Sequence, residues 1–154
     1  MSLLITETEK GAPCIIINNH KFRHKTVIKS GDIRWSCTSK SCKAMCLTDG
    51  EMSQLLGMTN EHNHPGMTTE AVEATVFKAA CKRQAVEALG VQPKVIIRSH
   101  LGSAAAADNS VIINDANRIS INTRKAIYRA RRKLLSQRRP DSADGVRVDT
   151  ISEV

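Results

Sequence analysis

Between residues 14 and 48 short β-branched runs alternate with clusters of turn residues. The run CIII (14–17) stops at Asn18-Asn19, and a mixed polar and apolar run over 21–28 stops at Lys29-Ser30-Gly31-Asp32. IRWSCT (33–38) stops at Ser39-Lys40-Ser41, and CKAMCLT (42–48) at Asp49-Gly50. Runs of this length, broken by Asn, Gly, Ser and Asp, predict strands joined by tight turns and hence one small antiparallel meander. Asn63-His64-Pro65-Gly66 closes the region, and Thr68-Thr69-Glu70 reads as a helix start, which places a domain boundary near residue 66.

Beyond that boundary the apolar period becomes helical. Over 70–89, Val72, Val76, Ala79 and Val86 share a face that Arg83 interrupts, Phe77 lies off it, and Gly90 supplies a stop. Pro93 suits the first turn of a second helix, expected from Lys94 to Leu101 with Gly102 as its end. SAAAADN (103–109) reads as a loop, although its alanines can prolong the helix. A short helix is expected over 110–118, then a longer one from Asn122 or Thr123 to Gln137 with Ile127, Ala130 and Leu134 as its stripe and Tyr128 and Leu135 beside it. The fold class is therefore α+β, a small antiparallel β-sheet module followed by a basic region of three to four helices. The expected organisation is a flexible N-terminus (1–11), the sheet module (12–66), a basic helical domain (68–137) and a disordered tail (138–154).

Composition adds a constraint. Aromatic residues are 3% of the chain (Phe22, Trp35, Phe77 and Tyr128), so large side chains cannot fill a broad core in the N-terminal half, and a metal is expected to help hold it. No run approaches the roughly 20 apolar residues that span a bilayer. MSLLITETEK has neither a secretory apolar region nor an Arg-rich transit pattern, which points to the cytosol or nucleus. In a reducing compartment five cysteines, an odd number, do not read as a disulfide framework.

Two of the cysteines have metal-ligand spacing. Cys37 and Cys42 form C-x4-C, and after 19 intervening residues His62 and His64 form H-x-H. Two thiolates and two imidazoles make the closed tetrahedral shell of structural zinc. The turn between the cysteines brings the sulfurs together, and histidines two apart in extended chain point to one face. Cys14 and Cys81 read as small buried hydrophobes. Cys46 shares a strand face with Cys42 but lies about 13 Å along it, too far for the same ion, and reads as core. His20 and His24 read as surface residues flanking Phe22, and Trp35, two before Cys37, as a core residue shielding the thiolates.

This spacing is not that of a ββα finger, whose histidines lie three to five apart on a helix. Residues 12–65 resemble a FLYWCH-type zinc finger instead: Phe22 in the aromatic position of the second strand, Gly31 in the turn, Trp35-Ser36-Cys37, Cys42-Lys43-Ala44 and His62-Asn63-His64-Pro65. Met45 departs from the pattern, standing where a basic residue often follows C-x-A. The resemblance implies one structural Zn2+ per chain on the four ligands.

Charge is uneven along the chain. Residues 1–67 carry 8 Lys/Arg against 6 Asp/Glu, residues 68–137 carry 12 against 5, and residues from 138 carry 3 against 4. A cationic excess concentrated in the helical half points to a polyanionic partner, DNA being the leading candidate, or more blandly to a solvated basic helix. Six of the ten residues from 124 to 133 are basic, namely Arg124, Lys125, Arg129, Arg131, Arg132 and Lys133, and they are the candidate phosphate contacts. Arg131 and Arg132 are expected to project outward, Arg124 and Lys125 are the better base-contact candidates, and the helix over 110–118 with the longer one suggests a helix-turn-helix-like unit. On the sheet the candidates are Lys21, Arg23, Lys25 and Arg34. Ile127-Tyr128-Arg129-Ala130-Arg131-Arg132 is similar to the I-x-R-x-R-R stretch that follows the finger in FLYWCH-like chains, which implies descent from a mobile element's DNA-binding half. The stretch 129–139 also has the composition of a nuclear import signal.

The resulting expectation is a zinc-dependent nuclear DNA-binding protein that regulates transcription. The alternative is a protein-interaction adaptor in chromatin or transcription complexes, with the finger as docking surface. Paired carboxylates, a nucleophile elbow and a Gly-rich phosphate loop are all lacking from the sequence, and a four-ligand zinc shell leaves no position for substrate, so neither an enzyme nor a small-molecule substrate is expected.

Overall fold

The structure is a computed structural model that describes residues 3–8, 11–107, 112 and 115–137. Six strands, β1 (Leu3–Glu7), β2 (Pro13–Ile17), β3 (His20–Val27), β4 (Ile33–Cys37), β5 (Met45–Thr48) and β6 (Leu55–Thr59), form one antiparallel sheet in chain order. The expected meander is present with a further strand at each edge. Residues 1–11, expected to be flexible, contribute β1, because Leu3, Leu4 and Ile5 pair with Ile17, Ile16 and Ile15. Asn18 and Asn19 take positive φ values of 48° and 63° between the paired Ile17 and His20, the left-handed conformation a two-residue hairpin needs and Asn tolerates.

Alternation decides the faces. Ile15, Ile17, Phe22, Ile33, Trp35, Cys37 and Cys46 fall on one side of the curled sheet and pack with Ala44 as its core. The Trp35 indole N–H donates to Thr48 Oγ1 at 2.9 Å, so the largest buried side chain carries no unsatisfied donor. On the other side Thr6, Cys14 and Ile16 are also buried, where the first helix packs against β1.

Three helices follow, α1 (Thr69–Glu87), α2 (Pro93–Ala106) and α3 (Ala116–Gln137). Thr68 caps α1 by accepting from the Ala71 N–H at 3.3 Å, and Pro93 opens α2. The α1 stripe differs from the expected one. Phe77, Cys81 and Ala85, spaced by four, enter the second core with Ile96 and Ile97 of α2, Ile112, and Ile119 and Ile127 of α3. Helix α2 runs through Gly102 to Ala106, since the alanines that follow are strong helix formers. Helix α3 begins six residues before Asn122, because Ile119, Thr123 and Ile127 bury one face. The short helix expected over 110–118 falls largely outside the described residues, and Ala116–Arg118 belong to α3. The expected tail from 138 also lies outside them. Among the described residues no helix is long and apolar enough to cross a membrane.

Candidate metal centre

Cys37 ends β4, and a turn closed by the Cys42 N–H on the Ser39 carbonyl (3.2 Å) brings the chain back to Cys42. Cys42 was expected to begin the next strand. It lies instead in the link before β5, where a loop can aim its sulfur at that of Cys37. The two histidines follow β6 and are tied down by asparagines: Asn63 Nδ2 donates to the Ser41 carbonyl and Asn60 Nδ2 to the Lys43 carbonyl, both at 3.2 Å. Asn60 tolerates the positive φ of 63° by which the chain turns out of β6. The Met67 N–H then bonds to the Asn19 carbonyl at 2.7 Å, anchoring the exit of the histidine segment to the β2–β3 turn.

These supports bring four donor atoms together. Cys37 Sγ lies 3.2 Å from His64 Nε2, Cys42 Sγ lies 3.4 Å from His62 Nδ1, and the two nitrogens are 3.4 Å apart. All four ligand atoms lie within 4.8 Å of one another. Around tetrahedral zinc, with bonds of about 2.3 Å to sulfur and about 2.0 Å to nitrogen, neighbouring ligand atoms stand roughly 3.3–3.8 Å apart. The donor set and its spacing therefore fit such an ion, and four protein ligands would close its shell.

The surroundings suit the same role. His64 Nδ1 donates to the Pro65 carbonyl at 2.9 Å, the kind of outer bond that fixes a ligating ring and leaves Nε2 for the metal. Cys37 Sγ accepts from the Ser39 N–H at 3.4 Å. Burial raises the Cys37 thiol above its ordinary range. Partial burial opposes the Cys42 thiolate too, but N–H donors of Ala44 and Asn63 outweigh it and the thiol is lowered. Burial first, and then the charges of His20 and His64, lower His62, which keeps it neutral and able to ligate at neutral pH.

A family model described as FLYWCH zinc finger domain matches residues 5–64. Those residues are a FLYWCH zinc finger domain. No curated protein and no solved structure matches the chain. The match starts within β1, so the edge strand belongs to the domain, and it ends on His64.

The other three cysteines do not join the four-donor group. Cys14, Cys46 and Cys81 are buried, and burial pushes the Cys46 and Cys81 thiols up to about 12, the state of an inert apolar side chain rather than a ligand. His20, expected on the surface, is the residue that sequence reading missed. Its ring stacks on that of His62 at 3.6 Å and 6°, while Phe22 meets His62 edge-on at 5.3 Å. Two-residue alternation along β3 places His20 on the same face as Phe22, and that signal was available in the sequence.

Among the basic candidates, Arg23, Lys25 and Arg34 are exposed on the sheet, where Arg23 Nε donates to Ser36 Oγ and Lys25 Nζ reaches Met45 Sδ. Lys21 is half-buried and donates to the Glu7 carbonyl at 3.3 Å. On α3, Arg124, Lys125, Arg129, Arg132 and Lys133 are exposed. Arg131 does not project outward as expected. Its Nε and Nη2 donate to the carbonyls of Ala85, Ala88 and Val91 at 2.9, 2.9 and 2.6 Å, satisfying acceptors at and just beyond the C-terminal end of α1.

Proposed function

We propose that the chain is a zinc-dependent nuclear DNA-binding protein, organised as a zinc module over 12–66 and a basic helical domain over 68–137. Cys37, Cys42, His62 and His64 hold one structural Zn2+, and α3 supplies the phosphate contacts. The observation that carries the DNA reading is the basic surface of α3, where Arg124, Lys125, Arg129, Arg132 and Lys133 are exposed and no acidic residue occurs from 124 to 133. Each cation that meets a phosphate releases condensed counterion, so the binding is strongly salt-dependent. Arg131 leaves the contact set because its guanidinium is engaged with α1. Arg23, Lys25 and Arg34 extend the cationic surface onto the sheet.

Fluorescence anisotropy of the full chain on a random-sequence duplex, across a salt series, tests this. Replacing Arg132 and Lys133 together by Gln is expected to flatten the log-affinity against log-salt slope by roughly two. Unchanged affinity and slope would remove α3 from the binding surface. A fluorescent fusion of the full chain is expected to accumulate in the nucleus.

One observation favours docking of a protein as a second reading. Edge strand β6 exposes Leu56 and Met58, half-open apolar side chains on an outer strand of the kind to which a further strand can add. Leu56→Lys should then abolish partner capture while leaving DNA affinity intact.

A further inference from the structure

A groove of about 860 Å³ lies between Thr6–Thr8 with Gly11 and the facing sides of α1 and α3. Its α1 wall presents Lys78, Lys82 and Arg83, and its α3 wall presents Lys125, Arg129 and Lys133. Lys21 from β3 adds a seventh cation, against the carboxylates of Glu7 and Glu87. The Glu7 carboxylate is already held by Lys82 at 2.7 Å, so β1 is pinned to α1 within the groove lining. No aromatic side chain is among the lining residues, which leaves the groove without a platform for stacking bases.

We infer that this groove is a track for the phosphodiester backbone of one DNA strand, built jointly by the FLYWCH domain and two helices. The inference rests on the DNA-binding reading above and assigns contacts to α1, which that reading does not use. The α3 wall from Asn122 to Gln137 is about 22 Å long at helical rise. That length faces several successive phosphates of one strand. Among the described residues five net positive charges line a concave surface, where low-dielectric walls concentrate the field on a bound anion. With no stacking residues and cations as the main polar lining, the track holds the backbone without reading sequence. The Lys82–Glu7 pair fixes the end of β1 against the α1 wall, so the sheet and the helices both contribute to the track.

The test uses the full chain and compares two charge-matched double variants. Lys78→Gln with Arg83→Gln removes two groove cations, whereas Lys94→Gln with Arg98→Gln removes two exposed cations from α2, outside the groove. On a random-sequence duplex the groove variant should flatten the salt slope by roughly two and weaken binding about tenfold or more, with the α2 variant close to the parent. Circular dichroism melts of both variants should match the parent, which separates lost contact from lost fold. If the parent binds DNA and the two variants lose equal affinity, net charge alone acts and the groove assignment is overturned. If the parent binds no DNA at any salt, the DNA reading itself fails. A linear inorganic polyphosphate of matched charge that binds the parent more tightly than the duplex would overturn the assignment to nucleic acid.

Discussion

The sheet and the helices each bury a cluster of eight side chains among the described residues, yet the two clusters are held differently. In the helices the cluster is mainly branched aliphatic, and Arg131 of α3 holds the end of α1 by hydrogen bonds to carbonyls. In the sheet one of the eight is Cys37, and the link carrying Cys42 and the segment carrying His62 and His64 lie outside the strand ladder. Apart from the four donors, asparagine side chains, a few backbone bonds and the rings of His20 and Phe22 against His62 hold those segments. Apolar burial can therefore close the helical half, whereas the open end of the sheet depends on what occupies its four donors.

The largest contrast should come from the ligands. His64→Ala is expected to abolish zinc retention and with it a binding contribution on the order of 10 kcal/mol. Sheet signals in an amide NMR spectrum should collapse while helical ellipticity persists. A dispersed sheet spectrum in that variant would show that apolar packing suffices there.

A core deletion should invert the pattern. Ile127 is fully buried on α3, so Ile127→Ala should cost about 2–5 kcal/mol of helical stability and leave zinc stoichiometry unchanged. Thermal unfolding with a parallel metal assay checks both parts. Zinc loss in this variant would mean that the halves unfold as one unit.

The next effect belongs to the arginine that bridges α3 and α1. Arg131→Gln removes charge-assisted bonds to three carbonyls and should cost about 1.5–3 kcal/mol, against near zero for exposed Arg132→Gln. Equal melting temperatures for the two variants would deny Arg131 its structural role.

The smallest effect is on pH dependence. The raised Cys37 thiol carries a proton at neutral pH that zinc must displace, so affinity should fall about tenfold for each unit of pH lost per thiol proton displaced. His62 is lowered, so imidazole protonation adds to this loss only below about pH 6.5. Competition with a chromophoric chelator across pH measures the slope, and a flat profile would contradict thiolate ligation.

How legible this was in the sequence follows from what each signal depends on. C-x4-C and H-x-H stood out because ligand identity and spacing are local, and the four donor atoms do converge. Strands β2 to β5 were visible through β-branched runs and turn residues. Strand β6 was not, since LLGMT carries a glycine and is mostly exposed, and β1 looked like a short apolar start to a polar tail. Within α1 the valine face outweighed Phe77, Cys81 and Ala85, because a helix with apolar residues all round gives no single stripe until its neighbours choose one. Arg131 was unreadable, as nothing local distinguishes it from Arg132. Its partners lie more than 39 residues away in sequence and are backbone carbonyls.

The most direct test of the contrast between the halves is a zinc titration of the metal-free full chain, followed residue by residue in amide NMR with metal content measured in parallel. The account predicts that signals of the sheet residues disperse and saturate at one zinc per chain, while those of the Phe77, Ile96 and Ile127 cluster stay folded throughout. A sheet already dispersed before zinc is added, or a helical cluster that appears only with it, would contradict the account.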